Sequence, residues 1–470
     1  MTDILLKRLK KTLFLGLSFF SVSVFAQKGK MAEAWLTDPK AEVLFKKQAS
    51  VLASQHASAA NIIEINPNKR YQTIDGFGYT LTGGSAGHLL KMSPQARKKL
   101  LEELFAFDKE NIGTSYLRLS VGASDLNDFV FSYDDLPDGE TDVEMKKFDL
   151  GQDKKDVIPV LKEILTINPK IKLMGSPWSP PKWMKTNNDT RGGSLKPEFY
   201  DAYALYLVKY IQEMAKEGVI IDALTVQNEP LHPGNNPSLL MLAKDQAEFV
   251  KNHLGPAFQK HKVKTKVIIY DHNADKPEYP IEILNDPNAK KYIDGSAFHL
   301  YGGTIDALSK VKEAHPDKNL YFTEQWFGAP GNLHRDFVNH IQNLTIGATR
   351  NWSKTVLEWN ITSNSELTPF TDRGGCSKCL GAVTVDGDVV KRNPAYYTVA
   401  QAAKFVRPGS VRIESNLIDG LPNVAFKTPS GKIVIIVLNN SKEKRDFSVK
   451  NKNAVYNSSL NAGAAVSLIF

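Results

Sequence analysis

The sequence predicts a (β/α)8 TIM barrel joined to a β-sandwich, and three observations carry that reading. Eight short apolar runs alternate with amphipathic helical stretches over roughly 290 residues, the signature of repeated βα units around a parallel sheet. After about residue 395 the pattern changes to short β runs parted by polar or glycine turns: VRIESN, VAFKT, KIVIIVLNN, RDFSVKN and AVSLIF. A doubly wound open sheet is the alternative, and it lacks its usual mark, because no G-x-G-x-x-G follows the first run.

Taken from the start, Lys7, Arg8, Lys10 and Lys11 precede an apolar run, residues 12–24, that is too short to span a bilayer. Val24 and Ala26 suit the small-residue positions of a cleavage site before Gln27. Residues 1–26 therefore read as a signal peptide, with a short membrane anchor as the alternative. The expected protein is exported, periplasmic or secreted, with no membrane span after cleavage. Residues 27–60 are Lys/Ala-rich without a clear period and read as a loose lead-in. Residues 61–72 read as a contribution to the β-sandwich from the other end of the chain.

The barrel is placed at residues 73–394. Its runs are TIDGFGYTLT (73–82), SYLRLSV (115–121), KLMGSPW (172–178), ALTVQNEP (223–230), KVIIYDHN (266–273), GSAFHLYG (295–302), LYFTEQWFG (320–328) and KTVLEWNI (354–361). The clearest helix falls between the third and fourth runs. There Tyr203, Leu207, Tyr210, Ile211 and Met214 recur at helical spacing, between Pro197 in the first turn and Gly218 at the end. Residues 395–470 are the C-terminal sandwich.

Composition narrows the function. Hydrophobic residues at 42% and charged residues at 23% are ordinary for a soluble globular chain. The net charge of +8 falls to +5 once the four basic residues and one acidic residue of 1–26 are removed. What remains is scattered, with no basic stripe interleaved with aromatics, so no nucleic-acid partner is expected. The two cysteines, Cys376 and Cys379 in GGCSKCLG, are too few for a four-ligand zinc site. Glycines on both sides read as a loop, so a local disulfide is the expectation in an exported protein. No metal and no cofactor is expected: no His-x-His follows the first strand, and His88, His232, His272 and His299 are dispersed. Nothing in the sequence sets the oligomeric state.

In a TIM barrel the active site lies at the C-terminal ends of the strands. The fourth run ends in Gln227-Asn228-Glu229-Pro230 and the seventh in Thr323-Glu324-Gln325-Trp326. Two glutamates from two strands supply the carboxylate pair that glycoside hydrolysis needs, one protonated and one ionised. Asn228 is placed to bond a sugar 2-hydroxyl. Arg118, inside an apolar run, must find a partner: a carboxylate such as Glu324, or a purely structural ion pair. Asp125, Trp178, His299, Tyr301 and Trp359 also follow strands and together make an aromatic, hydrogen-bonding cleft.

The stretches QTIDGFGYTLTGGSA, YLRLSVGASDLNDFVFSYDD, GSPWSPPKWMKTN, TVQNEPL, AFHLYGG, TEQWFG and NPAYYTVAQAAKFVRPGS resemble glycoside hydrolase family 30, the glucosylceramidase-like family, from about residue 70 to 410. The resemblance implies a (β/α)8 barrel fused to a β-sandwich built from both chain ends. It implies Glu229 as acid/base and Glu324 as nucleophile of a retaining double displacement, with Asp125 and Trp178 on the sugar and Arg118 beside the nucleophile. His299, Tyr301 and Trp359 match positions lining the family's pocket. QNEPLHPGNNPS and GGCSKCLGA are similar to the branch acting on β-1,6-glucan, so the expected substrate is a β-glucan and the expected activity endo-β-1,6-glucanase. An exo-acting β-glucosidase or glucosylceramidase-like enzyme is the alternative. A catalytically silent carbohydrate-binding protein is a further one, against which both glutamates and Asn228 argue.

Overall fold

In the computed structural model, residues 30–470 are described; the expected signal peptide, residues 1–26, lies outside them. Eight parallel strands close into a barrel in chain order. They are β1 (Gly76–Leu81), β2 (Tyr116–Val121), β3 (Lys172–Pro177), β4 (Ala223–Thr225), β5 (Lys266–Ala274), β6 (Ile293–Gly303), β7 (Asn319–Glu324) and β8 (Ser353–Glu358). Each falls inside or overlaps one of the apolar runs. Parallel strands buried on both faces need continuous apolar character, which is why the runs are legible without alternation.

The barrel interior is filled, not open. Tyr116, Met174, Ala223, Ile268, Ala297, Tyr321 and Leu357 form a buried cluster of inward side chains drawn from β2 to β8. Outside the strands, the helix Tyr200–Lys216 buries Tyr203, Leu207, Tyr210, Ile211 and Met214, and the chain leaves it at Gly218 with φ +84°. Among the described residues no helix is long and apolar enough to cross a membrane.

The second layer is a ten-stranded sheet folded over its own core of Ile63, Ile435, Val437, Phe447, Val449 and Leu468. The segment expected as a loose lead-in is part of it. Met31–Asp38, Val43–Lys47 and Val51–Ser54 are strands, and Met31–Asp38 pairs antiparallel with Ala465–Ile469. The strand MAEAWLTD hides because its burial does not alternate: it shifts register between Leu36 and Asp38 and is covered on both faces over part of its length. Ile62–Thr73 joins the sheet beside Val411–Ser415 and Arg445–Asn451. The boundary at residue 395 also moves. Pro394–Ala403 is a fully buried helix packed between β1, the helix Leu333–His340 and the sheet, so it belongs to the junction of the two layers.

Candidate active site

The strands' C-terminal ends carry a cavity of about 390 Å³ lined by Asp125, Trp178, Glu229, Tyr301, Glu324 and Trp359, among others. Arg118, Asn228 and His299 lie beneath it, buried. The nine residues expected at the site are thus brought together.

The floor is a charge network. Arg118, wholly buried on β2, donates through Nη1 to Glu324 Oε2 at 2.6 Å. Through Nη2 it donates to Asp271 Oδ2 at 2.8 Å, to Ser176 Oγ at 3.0 Å and to the Asn228 side-chain oxygen. Both partners expected for Arg118, a site carboxylate and a structural one, are therefore present. Asp271 is the residue that sequence reasoning missed. Its carboxylate accepts from Ser176, Thr225 and Thr323 hydroxyls at 2.6–2.8 Å. Burial opposes its charge, but Arg118 and His299 hold it well below the usual carboxylate range. A β-bulge aims it inward: Tyr270 and Asp271 both have positive φ, and Asp271 is the extra residue against Ala297 and Phe298 of β6. The rule that singled out Arg118, a charge inside an apolar run, applies equally to the Asp of KVIIYDHN.

His299 links the two expected catalytic carboxylates. Its Nδ1 lies 3.0 Å from Glu229 Oε1 and 3.7 Å from Glu324 Oε1, and its Nε2 lies 3.1 Å from Asp271 Oδ1. Burial disfavours the imidazolium, yet the surrounding carboxylates raise it to about 10. The ring therefore donates at both nitrogens. One ligand atom from each of Glu229, His299 and Glu324 lies within 4.8 Å of the others.

The two glutamates are held differently. Glu324, at the end of β7, has a permanent cation on Oε2 and the Tyr301 hydroxyl donating to Oε1 at 3.0 Å. Burial holds its carboxyl above its ordinary value, although His299 and Arg118 pull against that. Glu229 follows β4 at φ +43°, a left-handed conformation that costs a non-glycine residue on the order of 1 kcal/mol. Its N–H donates to the Asp271 carbonyl at 3.0 Å. Burial would raise the Glu229 carboxyl, but the His299 hydrogen bond and charge bring it below its ordinary value.

The walls suit a sugar. Trp178 and Trp359 stand with ring centroids 5.4 Å apart and planes tilted by 36°. The Trp178 indole N–H and Asp125 Oδ1 are buried without a protein partner among the described residues, leaving a donor and a polar oxygen at the cavity. Burial, with the charges of Glu324 and Glu229, pushes the Asp125 carboxyl well up. His272, which burial takes down to about 4, and Trp326 also line the cavity. Cys376 and Cys379 are joined in a disulfide at its edge, beside His232 and Asn235. His88 stands apart, bonded to Thr362 and the Thr368 carbonyl.

The chain resembles known proteins over most of its length. Residues 74–406 match the Glycosyl hydrolase family 30 TIM-barrel domain, and residues 409–468 the Glycosyl hydrolase family 30 beta sandwich domain. The chain is 32% identical over 393 residues to the endo-1,6-beta-D-glucanase neg1 of Aspergillus fumigatus, covering 78% of each chain. It is 32% identical over 407 residues to an endo-1,6-beta-D-glucanase of Neurospora crassa, covering 84% of this chain and 82% of that one. Among solved structures, the endo-beta1,6-glucanase BT3312 superposes with a TM-score of 0.86 at 32% identity, over 93% of this chain and 98% of the other.

Proposed function

The chain belongs to glycosyl hydrolase family 30, a retaining family, and on that premise we propose that it is an exported endo-β-1,6-glucanase with Glu324 as nucleophile and Glu229 as acid/base. The observation that carries the retaining mechanism is the closeness of the two carboxyls, and the Arg118 cation on Glu324 supports its assignment as the nucleophile. Oxygens within 4.8 Å suit direct attack on the anomeric carbon, for which carboxyls stand ~5–5.5 Å apart, whereas a water-inserting site needs ~6.5–9.5 Å.

In the first step the Glu324 carboxylate attacks the anomeric carbon while Glu229 protonates the departing oxygen. Arg118 is a cation that cannot give up its proton, and at 2.6 Å it favours the charged form of Glu324 against the burial that opposes it. His299 can give up a proton. In the free site its Nδ1 lies 3.0 Å from Glu229 Oε1, so a proton passes from His299 Nδ1 to Glu229 and on to the leaving oxygen, and the proton that Glu229 takes from water in the second step returns to His299 along the same path. In the second step Glu229 takes a proton from water, and the hydroxide oxygen displaces Glu324 with a second inversion. Asn228, its oxygen turned to Arg118, keeps its NH2 for the sugar 2-hydroxyl.

The relatives' substrate and the LHPGNNPS stretch after Glu229 support the 1,6-linkage. That linkage inserts a rotatable methylene, so the leaving O6 approaches Glu229 from a bend that an O4 leaving group cannot follow; misalignment alone costs about 10²-fold. The test is a panel of β-1,6-, β-1,3- and β-1,4-glucans, xylan and glucosylceramide, with NMR of the first sugar released. A β-1,6-glucan should be cut fastest, with early oligosaccharides and a β-anomer product. A better kcat/KM on xylan or glucosylceramide would overturn the substrate, and an initial α-anomer the mechanism.

A further inference from the structure

Catalysis at the floor does not account for the way the rim is built. Three loops distant in the chain, following β3, β4 and β8, are fastened to one another. Arg373 holds Asp189 through two nitrogens at 2.9 and 3.0 Å. Asn236 donates to Asp372 at 2.8 Å and accepts from Thr190 at 2.7 Å. The Thr371 N–H donates to the Asp125 carbonyl at 3.0 Å. The next turn is jammed against the loop that leaves Glu229. Gly374 has φ +148°, and a Cβ there would lie 2.5 Å from the Gly234 carbonyl oxygen; at Gly375 it would lie 2.2 Å from the Thr371 oxygen. The Cys376–Cys379 disulfide closes the turn, and Cys379 pairs with Gly328, four residues beyond Glu324.

We propose that His232, Asn235 and the disulfide-closed turn 374–379 form the subsite for the leaving sugar, a pyranose departing through its O6, and that the disulfide sets the width of that subsite. This rests on the hydrolase reading above. A general acid must come within ~2.6–3.2 Å of the leaving oxygen, so the loop leaving Glu229 borders the leaving sugar. His232 continues directly from the acid, its N–H donating to the Glu229 carbonyl at 2.8 Å. His232 and Asn235 line the cavity and carry side chains that pair with hydroxyls, and the glycine backbone and the disulfide packed beside them complete that wall. Opening the disulfide frees a turn whose two glycines allow many conformations, and the wall loses its position without any change at the floor.

The distinguishing readout is dependence on the leaving group. A β-1,6-linked glucose tetramer needs the subsite, whereas an aryl β-glucoside with a good leaving group needs little of it. The double variant Cys376→Ser/Cys379→Ser, the variant Asn235→Ala, and the wild type with and without dithiothreitol are assayed on both. Each perturbation should lower kcat/KM on the tetramer by about tenfold more than on the aryl glucoside, mainly through KM. Equal falls on the two substrates, or none, would overturn the subsite. Should the cysteine variant fail to fold, Asn235→Ala decides alone. Should the wild type prefer another linkage, the β-1,6 reading falls, and the same comparison with an oligosaccharide of that linkage still tests the subsite.

Discussion

The floor and the rim of one cavity, a few ångströms apart, are held by opposite means. The floor is made of side chains carried on the barrel strands. Arg118, Asp271 and His299 are wholly buried, and each is bonded to two or more others in the same network. The rim is made of loops held backbone to backbone, by a disulfide, and by an ion pair whose members are 48% and 40% exposed. The difference follows the work. Bond-making tolerates little misplacement, so its groups sit on strands that cannot shift independently; selection among leaving groups tolerates variation and is left to loops.

The largest effect expected of this contrast is at the floor. Glu324→Gln should abolish turnover by about 10⁴-fold or more, since no glycosyl-enzyme can form without the nucleophile. Azide should then give the inverted product. Glu229→Gln should still be glycosylated by activated aryl glucosides, and azide should restore its turnover with retention. The two variants behaving alike with azide would erase the distinction between the glutamates.

An intermediate effect should appear in stability against pH. His299 is raised from 6.5 in the unfolded chain to about 10, so its contribution is fully present below pH 6.5. Above that the unfolded chain has lost the proton that the folded one keeps, and stability falls as pH rises toward 10, by on the order of a few kcal/mol. Melting temperatures across this range should decline, and His299→Gln should flatten the decline. A slope unchanged in that variant would mean the imidazolium is not the charge that binds the floor together.

The smallest effect should lie at the rim. Asp189→Asn removes the exposed partner of Arg373 and should cost less than about 1 kcal/mol in urea unfolding, because water screens such pairs. A loss of several kcal/mol would show the rim to be as rigidly coupled as the floor.

The sequence reveals these two regions unequally, and for physical reasons. A strand buried on both faces writes itself as an unbroken apolar run, and a charge inside it or at its end stands out; Arg118, Glu229 and Glu324 are visible that way. Asp271 obeys the same rule but opens the polar end of its run, so it reads as the start of a loop until the bulge at Tyr270 and Asp271 turns it inward. IVIIVL at Ile433–Leu438 announces a core strand, whereas MAEAWLTD does not, since its cover comes partly from Phe45 and Phe405, which no local pattern predicts. The contacts among 189, 236 and 373 are the least legible, being set by loop paths that only the closed barrel brings together.

The pairing of Met31–Asp38 with Ala465–Ile469 has a consequence in time. During synthesis the first strand has its hairpin partner Val43–Lys47 at once, but its other edge waits until nearly the whole described chain has been made. Sequence separation on that scale makes the closing of this sheet a late, slow event compared with the local βα units of the barrel. Until then an apolar edge stands open, the kind of surface that recruits a second chain. A chain cut just short of Ala465 should therefore collect as aggregate, a fraction that sedimentation would measure.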